Sequence, residues 1–201
     1  MKLNRLILIL LFAIGCGQKN NKNKIIEEME NDSIKLSWMT DEMVERIKSR
    51  DEIVKNEDFE SLFSLSDSSD FAIALHQILV NRYDKNPNSL NPVQLNLFLT
   101  MHMENAGQAN SILTFLQERF PEYNEQIIIS LKEIGALKSS KVIRQAVELL
   151  PKDGSWFFES SNEASERLMT KLDSSFSLYP DGPMNDLYWK YANKHRNEVE
   201  K

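Results

Sequence analysis

Ser69-Asp70-Phe71-Ala72-Ile73-Ala74-Leu75-His76-Gln77-Ile78-Leu79-Val80 decides the fold class of this chain. Phe71, Ala74, Leu75, Ile78 and Leu79 fall at i, i+3, i+4, i+7 and i+8, which is one apolar stripe on a helix. A half-buried strand needs apolar residues at every second position instead. No sustained run of that kind occurs in the 201 residues, and no Asn-Gly hairpin.

Toward the C-terminus the same period recurs with its punctuation. Asn91-Pro92 reads as an N-cap followed by proline at the first helical position, opening a helix through Met103 that is apolar on several faces and therefore central. Ile112, Phe115, Leu116 and Phe120 form the next stripe. Pro121 starts a helix bearing Ile127, Ile128, Leu131 and Ile134, which Gly135 closes as a C-terminal cap. Ser139 or Ser140 is expected to cap the following helix, whose Ile143, Ala146, Val147 and Leu150 share one face until Pro151. Leu168, Leu172 and Phe176 form one further stripe, and Met184, Leu187, Tyr188, Tyr191 and Ala192 the last. The expected fold is all-α, a single multi-helix bundle-like domain over residues 69–201.

Toward the N-terminus the chain turns acidic. Residues 27–70 carry fourteen carboxylates against five basic groups, whereas residues 71–201 carry sixteen against fourteen. Residues 25–68 are read as an acidic helical region, with one weak helix over 25–36 and another after Thr40. Thr40 is its N-cap, and Asp41 and Glu42 stand where the helix dipole favours negative charge. Residues 16–24, almost all polar after Cys16, form a flexible tether.

Ahead of the tether lie Lys2, Arg5, an apolar run from Leu6 to Ile14, then Gly15 and Cys16. The run is too short for the roughly 20 residues of a membrane span and has the form of a secretory signal over residues 1–15. Its end, Ala13-Ile14-Gly15-Cys16, resembles the lipobox of bacterial lipoproteins. That resemblance implies cleavage before Cys16, acylation of its sulfur, and attachment to the cell membrane or outer membrane, outside the cytoplasm. Each buried CH₂ adds about 0.8 kcal/mol, so several acyl chains hold a protein permanently. Cys16 is the only cysteine, and once acylated it leaves no disulfide to brace the fold.

Charge and motif content narrow the function. A formal charge of −6 opposes binding to duplex phosphate. His76, His102 and His195 are far apart in sequence and form no metal-binding spacing, and His102 and Glu104, at i and i+2, do not face each other on a helix. Nucleophile-elbow, phosphate-loop and dinucleotide motifs do not occur, so no catalytic residue, metal or cofactor is assigned. Trp156, Phe157 and Phe158 form an aromatic cluster after Gly154. Core packing is its ordinary role, and wherever it is exposed it is the candidate contact patch.

The stretch Ile134-Gly135-Ala136-Leu137-Lys138-Ser139-Ser140-Lys141-Val142-Ile143 resembles a bacterial family of helical domains that includes a DNA mimic. Leu172-Asp173-Ser174-Ser175-Phe176 and Leu187-Tyr188-Trp189-Lys190-Tyr191 extend the resemblance over roughly residues 70–196. Members carry Asn-Gly-Gly-Phe after a helix, where this chain has Asn105-Ala106-Gly107-Gln108, leaving Gly107 to supply a turn. The resemblance implies a helical domain whose acidic face occupies the DNA-binding surface of another protein. The leading expectation is nonetheless a lipid-anchored, non-enzymatic protein-binding or scaffold protein of the cell envelope. A DNA-mimic inhibitor and an envelope enzyme without a recognisable motif are the alternatives.

Overall fold

A computed structural model describes residues 38–201; the apolar run, Cys16, the tether and the helix expected over 25–36 lie outside the described residues. Among the described residues every regular element is helical. The described residues fall into two units, residues 38–48 and residues 49–201. In the first, Thr40 Oγ1 accepts the Met43 N–H at 3.2 Å, so the expected N-cap opens α1 (Asp41–Asn56).

The second unit continues with α2 (Phe59–Ser64), α3 (Ser68–Lys85) and α4 (Pro92–Ala109). A π-helical turn (Thr114–Arg119) and a 3-10 turn (Pro121–Tyr123) lead into α5 (Asn124–Glu133) and α6 (Leu137–Glu148). The short α7 (Phe157–Ser160), then α8 (Glu163–Ser177), α9 (Met184–Lys194) and α10 (Arg196–Val199), complete it. The stripe Phe71, Ala74, Leu75, Ile78 and Leu79 is wholly buried on α3. Helix α4 is the central element, packing against α3, α5, α8, α9 and α10. Asn91 begins α4 with a reciprocal box in which its side chain accepts from Val93 and Gln94 N–H and the Gln94 side chain accepts from Asn91 N–H. The Gln94 amide also donates to the Val199 carbonyl at 2.9 Å, tying α10 to the start of α4.

Four sequence expectations need correction. Helix α4 does not stop at Met103 but runs to Ala109, so Gly107 lies within it and makes no turn. A Cβ at Gly107 would stand 2.8 Å from Cδ1 of Phe176, so the small residue lets α8 approach α4. Pro121 opens only the 3-10 turn, and α5 begins at Asn124. Ser139 and Ser140 are buried inside α6 rather than capping it. The missing cap comes from the loop after α8, where Asp181 accepts from Lys138 N at 2.9 Å, Ser139 N at 2.7 Å and Ser139 Oγ at 2.8 Å. Last, Leu168 is exposed and the buried stripe of α8 is Met169, Leu172 and Phe176. Gly135 does close α5 as expected, with φ +92° and a 2.7 Å bond from Ala136 N to Leu131 O.

Candidate functional site

The aromatic cluster sits where α6 ends and the chain must cross to α8. Gly154, at φ +77°, turns the chain after Pro151. Asp153 then accepts the Ser155 N–H at 3.0 Å and the Ser155 hydroxyl at 2.8 Å. These bonds favour the ionised form and hold its carboxyl below the usual range. Gln117 of the π-helical turn clamps the strand-like crossing from the other side. Its amide donates to Ser155 O at 3.0 Å, and its oxygen accepts the Phe157 N–H at 3.0 Å.

This clamp divides the three aromatics. Phe157 is buried in the core, Trp156 is half-buried and Phe158 is 53% exposed. Phe158 meets Phe157 edge-on with centroids 5.2 Å apart, and its centroid lies 6.1 Å from that of Trp156. The core role expected for the cluster therefore belongs to Phe157, while Phe158 projects from it. Beside them an open groove of about 420 Å³ is lined by Leu149, Pro151, Lys152, Asp153, Phe157, Ser160, Ser161 and Ser165. Its serine side is fixed by the start of α8: Asn162 and Ser165 cap one another reciprocally, and Ser161 Oγ donates to Glu166 at 2.7 Å.

Two further polar groupings escaped the sequence reading, because helix packing alone assembles them. His76 of α3 and His102 of α4 meet edge-on with ring centroids 4.7 Å apart. Phe98 and Phe120 pack on His102 at 4.4 and 5.0 Å. Neither Nε2 has a hydrogen-bond partner, and burial lowers each imidazole to about 4, with the mutual repulsion of the pair and of Arg119 adding at His102. No group of three potential metal ligands occurs among the described residues.

Glu104 points the other way from α4, as its i, i+2 relation to His102 requires. Burial raises its carboxyl above the ordinary range, against hydrogen bonds from Tyr188 and Tyr179. The fully buried Tyr188 hydroxyl faces both Glu104 Oε2, at 2.9 Å, and the Thr100 carbonyl, at 3.1 Å. It has one proton for two acceptors. A protonated Glu104 would supply the second hydrogen, which accords with the direction of its shift. Tyr179 reaches this carboxyl from a left-handed backbone, φ +52°.

Residues 88–195 match a family model described as DMP19-like protein. That span runs from the loop before α4 to the C-cap of α9 and includes the aromatic cluster, the groove and Glu104. No curated protein and no solved structure matches the chain.

Proposed function

We propose that this chain, which belongs to the DMP19-like protein family, is a non-enzymatic protein-binding or scaffold protein held at the cell envelope by a lipidated Cys16. The observation that carries the binding role is Phe158, an aromatic ring left 53% exposed while the buried Phe157 fixes its position. Ordering a long flexible side chain costs entropy on association, and a ring already packed against its neighbours costs less. Aromatic side chains fixed in this way are the usual anchors of protein interfaces. The anchor is supported by the basic start, the apolar run and the single cysteine of residues 1–16.

A photo-crosslinking residue in place of Phe158, in cells expressing the full chain, tests the binding role. The expected result is a discrete protein adduct at position 158 and none with the same residue at exposed Asp84. Equal yields at both positions would defeat it. Cys16→Ser tests the anchor: the protein should leave the membrane fraction and lose incorporation of labelled palmitate, and unchanged retention would count against anchoring.

The family match favours a second reading, a DNA-mimic inhibitor acting on a DNA-binding protein. Carboxylates on rigid helices would stand in for phosphates. Within residues 88–195 the acids outnumber Lys and Arg by only thirteen to ten. Salt separates the readings. A partner held by carboxylates weakens steeply as salt rises, whereas one anchored on Phe158 is nearly indifferent.

A further inference from the structure

We infer that the outer face of α6 and α8 lies on an anionic lipid surface, with Lys141, Arg144 and Lys171 against the headgroups and Leu137 and Leu178 in the interface. This rests on the lipid-anchor reading above and adds which face of the domain the anchor brings to the membrane.

The face follows from the helical period. Helix α6 buries Ile143 and Ala146, α8 buries Met169, Leu172 and Phe176, and the two helices pack together. On the exposed side of α6, Leu137, Lys141, Arg144 and Glu148 stand at i, i+4, i+7 and i+11, one stripe. On α8, the exposed Leu168, Lys171 and, at the C-cap, Leu178 follow at i, i+3 and i+10. The loop after α8 is fastened to the start of α6, because Asp181 caps Lys138 and Ser139 while Lys138 Nζ donates to the Pro180 carbonyl at 2.9 Å. Leu137 and Leu178, 57% and 81% exposed, therefore stand at the same end of the two helices.

Charge chooses the occupant. Exposed positions of α6 and α8 carry Lys138, Lys141, Arg144, Arg167 and Lys171 against Glu148 and Glu163. The other carboxylates of α8 turn inward, Glu166 to the Ser161 hydroxyl and Asp173 to the Ile112 N–H. Arg167 is paired with Glu163, whereas no ion pair among the described residues engages Lys141, Arg144 or Lys171. The sign is particular to this face: exposed positions of α1 hold five carboxylates against three cations, and those of α5 two against one. Cations beside exposed leucines match an anionic bilayer, whose headgroups attract the charge and whose acyl boundary takes the apolar side chains. Duplex phosphate would use the cations and leave the leucines in water. An acidic protein has to arrive by diffusion, whereas the anchor keeps lipid beside this face. Only twenty-two residues lead from Cys16 to the first described residue, at most about 75 Å of chain, so even a weak surface contact acts at high effective concentration.

The test returns the full chain, purified in detergent, to vesicles of phosphatidylcholine alone or of an equal mixture with phosphatidylglycerol, each with a trace of a lipid bearing a photoreactive diazirine in its tail. Adducts mapped by mass spectrometry should form at Leu137 and Leu178 in the mixed vesicles, and not at Ile73, an exposed apolar residue of α3. Each cation near such a surface strengthens the contact about fivefold. Lys141→Glu with Arg144→Glu should therefore cut the adducts at least about tenfold, and Lys55→Glu with Lys85→Glu, the same charge change elsewhere, should leave them unaltered. Equal yields at Ile73 and Leu178, equal yields in the two vesicles, or equal losses in the two double variants overturn the face. So does capture of duplex DNA or of an acidic protein through the same cations without lipid adducts. Flotation and labelled palmitate report the anchor separately. An acylated chain that floats without adducts at Leu137 and Leu178 overturns the face and leaves the anchor standing. Adducts on a chain that takes up no palmitate overturn the anchor and leave the face, and neither flotation nor adducts overturns both.

Discussion

Acidification from about pH 7 to pH 5 should cost this fold about 3 kcal/mol, and the cost should come from His76 and His102. Both half-buried rings meet edge-to-face between α3 and α4, both Nε2 atoms are buried without a partner, and both titrate in the folded state at about 4 instead of 6.5. The folded pKa is the lower, so between about pH 6.5 and pH 4 the unfolded chain binds more protons than the folded one. Stability is therefore full above pH 6.5 and falls as pH drops through that window. At pH 5 an unfolded imidazole is almost wholly protonated and a folded one about one-tenth protonated, which linkage converts to about 2 kcal/mol for each ring. Water around the less deeply buried His102 reduces its share, which gives the total of about 3. Other groups act elsewhere or in opposition. Asp58, Asp153 and Asp181 have lowered pKa values and matter only below about pH 4. Glu104, with its raised pKa, is eased by acid and offsets part of the loss. Urea unfolding across the range measures the effect. His102→Phe keeps the aromatic packing, removes an unpaired buried nitrogen, and should flatten the pH dependence by about a third. A stability constant from pH 7 to pH 5, or an equal slope in His102→Phe, would refute the reasoning.

Three packing predictions follow from the same structure. Ile143 is fully buried on α6 and Lys141 is exposed, so Ile143→Ala should cost about 2–5 kcal/mol in urea unfolding and Lys141→Ala less than about 0.5. Gly107→Ala should destabilise by about 1–2 kcal/mol despite alanine's better helix propensity, because the new Cβ meets Phe176 at 2.8 Å. Adding Phe176→Leu should recover part of that loss, and a more stable Gly107→Ala single variant would show that the helices are not in close contact there. Asp181→Ala removes the acceptor for Lys138 and Ser139 N–H and should cost about 1–2 kcal/mol by calorimetry, near the loss of a strong N-cap.

How much could be read along the chain depends on whether the signal is local. Asn91-Pro92, Thr40 and Gly135 punctuate helices through bonds within a few residues, and each is found where its chemistry predicts. The serine pair misled because capping was sought next to the helix start, whereas Asp181, more than forty residues away, provides it. On α8 the apolar period admits two registers. Leu168 and Met169 are adjacent, and only the position of α4 and α6 selects Met169 for the core. Of the aromatic cluster, composition marked the three residues as a group. Their division into a buried Phe157 and an exposed Phe158 follows from Gln117, on a separate element.

The sequence by itself determined that the described chain is helical, where α1 and α4 begin and α5 ends, and most of the buried stripes, because apolar periodicity and capping act over a turn or two. It also holds the lipobox-like residues that motivate the anchor, since such a signal is linear. Tertiary structure alone decided that two histidines separated by twenty-six positions share one ring contact and that Glu104 meets the buried Tyr188 hydroxyl. It also set an open groove lined by Leu149, Pro151 and Phe157 between the end of α6 and the start of α8. Those pairings depend on the register in which α4 meets its neighbours. That register is set by shape, by Gly107 yielding space to Phe176 and by Gln94 bonding Val199, and such complementarity leaves no periodic trace in the residues that take part.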